Sequence, residues 1–262
     1  MIFDTHAHYD DEAFDQDRDE LLNSMNENGI INIVNVGADI RSSGNSIALA
    51  ERYDYIYAAV GVHPSDTAGI TEDDLEQIQV WTKEEKVVAI GEIGLDYYYK
   101  EPEKEIQRKW FVKQLELAKS CGLPVIIHSR EAANETFEIL KSYGDKISGG
   151  VIHCYSYSPE LAKEYVKMGY YIGIGGVVTF KNAKKLKETV EACPLDSIVL
   201  ETDCPYLSPE PNRGKRNSSL NLPYVVSEIA RLKKVSDAEV IERTYRNALD
   251  LYHIHPAKNN KN

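Results

Sequence analysis

The run "VVAIGEIG" (87–94) is built from small and β-branched apolar residues with one carboxylate, Glu92, set inside it. Eight residues suit a strand and fall short of a helix. An apolar run without strict alternation suits a strand buried on both faces, as in a parallel sheet. Seven more such runs follow the same pattern: "MIFDTHAH" (1–8), "IINIVNVG" (30–37), "IYAAVGVH" (56–63), "PVIIHS" (124–129), "GGVIHCY" (149–155), "YYIGIGG" (170–176) and "SIVLETD" (197–203).

Helical patterns lie between them. "DQDRDELLNSMNENG" (15–29) puts Arg18, Leu21, Leu22 and Met25 on one face and stops at Gly29, a C-cap glycine. "EIQRKWFVKQLELAKSCG" (105–122) spaces Trp110, Phe111, Gln114, Leu115 and Ala118 for a helix and also stops at glycine. "SPELAKEYVKMG" (158–169) opens on a serine N-cap with Glu160 in its first turn. Eight strands alternating with helices over about 250 residues predict an α/β chain folded as a (β/α)₈ TIM barrel. It is expected to form one domain over residues 1–262. A doubly wound open sheet is the alternative, but no glycine-rich phosphate fingerprint follows the first strand. "SPEPNRGKRNSSLN" (208–221) reads as a long loop, followed by helices over 222–234 and about 236–253, and "PAKNNKN" as a frayed tail.

Composition narrows the function. No apolar stretch approaches ~18 residues, so no transmembrane helix and no membrane association are expected. The opening "MIFDTHAHYDDEAFDQD" (1–17) is acidic where a signal peptide needs basic residues, which predicts a cytoplasmic protein. Cys121, Cys154, Cys193 and Cys204 form no C-x-x-C pair and are expected as reduced thiols. A net charge of −12 argues against a broad basic nucleic-acid surface and leaves room for a local basic site.

Of the seven histidines, His6, His8, His63, His128 and His153 fall at or near the C-terminal end of an expected strand, where barrel enzymes carry their chemistry. Glu92 closes the fourth strand and Asp203 the eighth. Alternation supports convergence: His6 and His8 share a face, His128 follows Ile126, and Glu92 follows Ile90 and Val88. A lone strand-end histidine is most often a packing residue. Five histidines and two carboxylates at one rim need partners that packing does not supply, and a metal cluster supplies them at once. His253 and His255 are assigned to the final helix as structural residues without a role in the site. Glu201 and Asp203, two apart on one strand, would repel each other unless a cation stood between them and the mouth. Asp203 is then a ligand or base, and Glu201, one layer deeper, steadies a ligand.

These residues carry a resemblance. "FDTHAHYD" (3–10), "GVHP" (61–64), "GEIGLDYY" (91–98), "PVIIHSREA" (124–132), "HCYS" (153–156) and "LETDCPYLSP" (200–209) resemble the motifs of the TatD deoxyribonuclease family, and "NRGKRN" (212–217) its basic loop. The resemblance runs from residue 3 to about residue 250. It implies a metal-dependent hydrolase acting on phosphodiester bonds, a 3′→5′ exonuclease on single-stranded DNA or RNA, expected as a monomer. It implies two divalent ions per chain, held by His6, His8, Glu92, His128, His153 and Asp203, with Glu92 bridging. Asp203 and Glu92 are implied as catalytic, and His63 matches a catalytic-site histidine that contacts substrate.

Magnesium, manganese and zinc are the candidate ions. Four imidazoles suit zinc, manganese or cobalt, whereas the resembled family is commonly described as magnesium-dependent. Arg213, Lys215 and Arg216 are expected on neighbouring phosphates. Arg130 is a further phosphate clamp unless it pairs with Glu201. Tyr97, Tyr98 and Tyr99 stack either on bases or within the loop. Cys154 and Cys204 neighbour ligands, and alternation turns both toward the helices as packing residues. The chain departs from the family pattern at Tyr9, usually a smaller aliphatic residue, at Asn134, often acidic, and at Ser218–Ser219, which replace a Glu-Pro. The same ligands would serve a D-aminoacyl-tRNA deacylase or another hydrolase of amides, lactones or esters. A non-enzymatic binding role would be favoured had a ligand been absent, and all six are present.

Overall fold

The computed structural model describes residues 1–255, the side chain of Asp145 apart; the expected tail at 256–262 lies outside them. Eight parallel strands form one sheet in chain order: β1 (Ile2–Ala7), β2 (Ile30–Val36), β3 (Ile56–Val60), β4 (Val87–Asp96), β5 (Val125–Arg130), β6 (Gly150–Ile152), β7 (Tyr170–Ile174) and β8 (Ile198–Leu200). Each lies within, or overlaps, one of the eight apolar runs. Helices α1 (Arg18–Asn23), α2 (Ile40–Arg52), α3 (Glu72–Trp81), α4 (Lys104–Cys121), α5 (Ala133–Tyr143), α6 (Pro159–Lys167) and α7 (Lys184–Ala192) fill the crossovers, and α8 (Leu222–Lys233) and α9 (Asp237–Leu251) follow the last strand. Gly29 and Gly122 take the left-handed conformation expected of helix-ending glycines.

The sheet closes on itself through residues just past β8. Thr202 and Asp203 both donate backbone N–H to the His6 carbonyl, at 3.3 and 2.9 Å, and His8 N–H reaches the Cys204 carbonyl at 2.9 Å. The result is a (β/α)₈ TIM barrel. No helix among the described residues is long and apolar enough to cross a membrane.

Two cores hold it. The larger lies between sheet and helices and takes in Ile33, Ile90, Ile93, Phe111, Leu115 and Ile127. The smaller lines the inside of the barrel with Phe3, Val34, Val88, Ile126, Val151 and Val199, and the end of α9 plugs it with Leu251 and Tyr252. Burying aliphatic side chains in both layers drives closure, at ~25 cal/mol per Å² of apolar surface.

Simple alternation fails on β4. Val88 is inside, but Ile90 packs outside against the helices, so Glu92 does not inherit its direction from Ile90. An extra residue between Ile90 and Ile93, relative to Val125 and Ile127 on β5, turns the chain so that Glu92 points inward. β1 gains a residue in the same way between Asp4 and Ala7. Bulges of this kind re-aim side chains at barrel rims. Gly94, at φ +147°, makes the β4 turn feasible, since a Cβ there would sit 1.9 Å from the His128 carbonyl oxygen. The final helix ends at Leu251, so His253 and His255 stand beyond it, both exposed, and not within it.

Candidate metal centre

At the C-terminal mouth of the barrel, β1, β4, β5 and the residues after β6 and β8 bring the six expected ligands together. Glu92 is at the centre, with its two oxygens facing different groups. Oε2 lies 3.3 Å from His6 Nε2 and 4.0 Å from His8 Nε2. Oε1 lies 2.7 Å from His128 Nδ1 and 3.8 Å from His153 Nε2. Asp203 Oδ1 closes the ring, 3.3 Å from His8 Nε2 and 3.7 Å from His153 Nε2.

Neighbours fix how the imidazoles point. His8 Nδ1 lies 2.8 Å from the Val36 carbonyl, which can only accept, so that nitrogen carries a proton and, in the neutral ring, Nε2 turns its lone pair inward. His153 Nδ1 is held in the same sense by Glu201, at 3.1 Å, while the other Glu201 oxygen takes the Cys154 N–H at 2.6 Å. Glu201 therefore holds the His153 ring from one layer down. Gly173 leaves it the room, since a Cβ there would lie 2.3 Å from its Oε2.

The donor set fits a divalent cation. Imidazole nitrogens and carboxylate oxygens face one another at 2.7–4.0 Å, about the spacing of neighbouring ligands around an ion with bonds of ~2.1 Å. The His6 and His8 Nε2 atoms lie 3.0 Å apart, and His6 Nδ1 is buried with no hydrogen-bond partner among the described residues. Burial, aided by the stacked His153 ring, lowers the His6 pKa and keeps that ring neutral. Burial works against charge on the other histidines too, but the carboxylates prevail. The Asp203 contact raises His8 to about 9, Asp96 and Glu92 raise His128 to about 9, and Glu201 and Glu92 raise His153 to about 10. Burial pushes Glu92 up, and the histidines around it overcome this and hold it well below the usual carboxylate range. These are groups waiting for positive charge, which protons supply where an ion does not.

Two residues stand out beside the ligands. Asp96, buried at the end of β4, escapes the sequence reading. Its Oδ2 lies 3.2 Å from His128 Nε2, so His128 has a carboxylate at each nitrogen. The signal is present in "GEIGLD", where Glu92 and Asp96 are an even number of residues apart. His63 follows β3, and its Nδ1 accepts the Ser65 backbone N–H at 3.1 Å, which leaves the ring proton on Nε2, 4.0 Å from Glu92 Oε1. Burial and the neighbouring His128 lower its pKa to about 4, so the ring is a neutral donor facing the cluster.

The basic residues lie outside this cluster. Arg130 does not pair with Glu201; it is exposed, with its guanidinium 3.8 Å from the Tyr98 ring centroid. Arg213 covers Phe180 at 4.1 Å and lies 3.9 Å from Glu210. Lys215 is exposed, with no ion-pair partner among the described residues. Arg216 forks onto Asp17 at 2.7 and 2.5 Å in an exposed ion pair. Cys204 is a packing residue, fully buried. Cys154 does not turn toward the helices: it takes a left-handed backbone at φ 44° and shares a cavity at the mouth with Glu201 and Asp203. Burial first, then those two carboxylates, raise its thiol pKa well above normal.

Comparison with known proteins agrees with this geometry. The family model described as TatD related DNase matches residues 3–253. This chain belongs to the TatD family. It is 45% identical over 254 residues to YabD of Bacillus subtilis (strain 168), described as an uncharacterized metal-dependent hydrolase, covering 97% of this chain and 100% of that one. It is 31% identical over 257 residues to a protein of Cronobacter sakazakii named 3′-5′ ssDNA/RNA exonuclease TatD, covering 96% and 97%. The crystal structure of YJJV, a TatD homolog from Escherichia coli K12, superposes with a TM-score of 0.91 at 32% identity, over 97% of this chain and 98% of that one. Within the TatD family frame, the departures at Tyr9 and Ser218–Ser219 leave every expected ligand in place.

Proposed function

We propose that this metal-dependent hydrolase of the TatD family cleaves phosphodiester bonds of single-stranded DNA or RNA, removing nucleotides from the 3′ end. We infer two divalent ions per chain, one beside His6, His8 and Asp203 and one beside His128 and His153, with Glu92 between them. The observation that carries this is the division of the Glu92 oxygens between the two histidine groups. Ions held there would polarise a phosphoryl oxygen and supply a nucleophile at neutral pH.

The chain's own residues would do the rest. Asp203 is the more open of the two central carboxylates, its side chain 19% exposed against 5% for Glu92. Burial raises its pKa, but His8, His153 and His6 overcome this and lower it, so it is ionised and able to accept the proton of an attacking water. His63 would donate its Nε2–H to an oxygen of the phosphate. Arg130, Arg213 and Lys215 would take neighbouring phosphates, the arginines by their forked donors. The sequence likeness to the Cronobacter protein named as an exonuclease supports the choice of substrate.

The test is turnover of end-labelled single-stranded DNA by metal-replete protein, with product lengths resolved over time. A ladder shortening from the 3′ end is expected, and a blocked 3′ terminus should stop it. Equal cutting of closed circles would remove the exonuclease claim. Intact DNA alongside hydrolysis of D-aminoacyl-tRNA would move the chain to the ester-cleaving alternative.

A further inference from the structure

We propose that Arg130, Tyr98 and Tyr99 form a subsite for the nucleotide next to the one being removed, its base stacked on the tyrosines and its phosphate on Arg130. This rests on the phosphodiester assignment and adds to it a residue-level account of single-strand selection.

Tyr98 and Tyr99 are 58% and 56% exposed, unusual for large aromatic side chains, whereas Tyr97 beside them gives its hydroxyl to Glu135 at 2.7 Å. The two exposed rings meet edge to face, with centroids 5.0 Å apart. The Arg130 guanidinium lies 3.8 Å from the centre of one and 5.6 Å from the other. It makes no ion pair among the described residues, so its N–H donors remain available while its flat face is stacked. A surface of ring faces beside an unpaired guanidinium suits a ligand that is flat, π-faced and anionic, which describes a nucleotide.

Position supports the assignment. Arg130 pairs in register with Asp96, the residue that touches His128. The other oxygen of Asp96 accepts the Tyr98 backbone N–H at 2.9 Å. One carboxylate therefore ties both the aromatic pair and a candidate ligand to the end of β4. In a duplex the base faces are already stacked inside, so only an unpaired strand would offer one to this surface.

The experiment uses single-stranded oligonucleotides carrying one abasic residue, placed in turn at each of the first positions from the 3′ end. They are cleaved by wild type and by the Tyr98→Ala/Tyr99→Ala variant, with a small chromogenic phosphodiester as control. At one position, loss of the base should lower wild-type kcat/KM about 10-fold, or ~1.4 kcal/mol, within the range of a stacked base. The double variant should show that loss on intact DNA and no further loss on the abasic strand, and Tyr99→Phe should behave as wild type. Turnover of the chromogenic diester should not change. If abasic strands are cut as fast as intact ones, or the variant loses the same factor on the small diester, the subsite is overturned. If wild type cuts no strand, intact or abasic, the phosphodiester assignment falls as well.

Discussion

The hydroxyls of Tyr9 and Ser219 lie 2.8 Å apart in the interior, and the Ser219 N–H points back at the Tyr9 oxygen, also at 2.8 Å. Both belong to the few positions where the sequence departs from the family pattern, so two departures that look separate in the chain form one contact. Ser219 Oγ continues the chain of bonds to Asp4 Oδ2 at 2.6 Å, where Thr202 also donates. This ties the long loop after β8 to the strand that carries His6 and His8. Ser219→Ala should cost about 1–3 kcal/mol, because it strands buried partners on both sides. Tyr9→Phe/Ser219→Ala together should cost less than the two single changes added. Urea unfolding of the four proteins would measure this, and strict additivity would refute the coupling.

Glu201→Gln should weaken metal binding without unfolding the barrel. A glutamine cannot accept at both atoms, so either His153 Nδ1–H or the Cys154 N–H loses its partner. A drop of about 10–100-fold in metal affinity is expected, with activity recovered at high metal. Activity measured across a metal titration separates this from a loss of chemistry, which excess ion would not rescue.

Asp203→Asn is expected to do the opposite, leaving a deficit that metal does not restore. Asn tolerates the left-handed backbone that Asp203 adopts at φ 57°, so the closing bonds to His6 should survive. Turnover should fall by orders of magnitude as the proton acceptor is removed. Thermal melts alongside saturating-metal kinetics check both halves, and activity within a few fold of wild type would remove Asp203 from its role.

Metal affinity should rise with pH. In the metal-free chain His8 and His128 titrate at about 9 and His153 at about 10, all raised, so each holds a proton at neutral pH. A cation must displace those protons, whereas Glu92 and Asp203 are already ionised and release none. Affinity should therefore climb through neutral pH and level off above about pH 9–10. Calorimetry at pH 7 in buffers of different ionisation enthalpy counts the protons; no net release would contradict the expectation.

Replacing Arg213 and Lys215 by alanine should raise KM for DNA and flatten its salt dependence. On a single strand the log–log slope should fall by ~0.7 for each phosphate no longer gripped. A small chromogenic phosphodiester has no neighbouring phosphate and should be turned over as before. A deficit shared by both substrates at an unaltered slope would mean a disturbed mouth and not a missing clamp.

The eight strands are legible because burial on both faces writes β-branched apolar runs into the chain, and the candidate ligand histidines because they interrupt those runs at their ends. What alternation cannot carry is direction through a bulge. Counting from Ile90 sends Glu92 to the mouth, yet Ile90 itself faces the helices, and only the inserted residue on β4 restores the outcome. Cys154 defeats alternation for a related reason: β6 ends at Ile152, and past that point a left-handed turn replaces the pleat. The pairing of Arg216 with Asp17 depends on contact between segments far apart in the chain, which local pattern does not encode.

The seam between the first and last strands also sets a timetable. Thr5 Oγ1 bonds the Leu200 carbonyl across 195 residues, and Ser219 reaches Asp4 across 215. During synthesis, β1 can pair with β2 early, but its other edge has nothing to close on until the chain has grown past Cys204. Contacts of such long sequence separation form late and slowly. A chain interrupted before β8 is an open sheet with His6 and His8 at its free edge, exposed to pairing with any other unfinished strand.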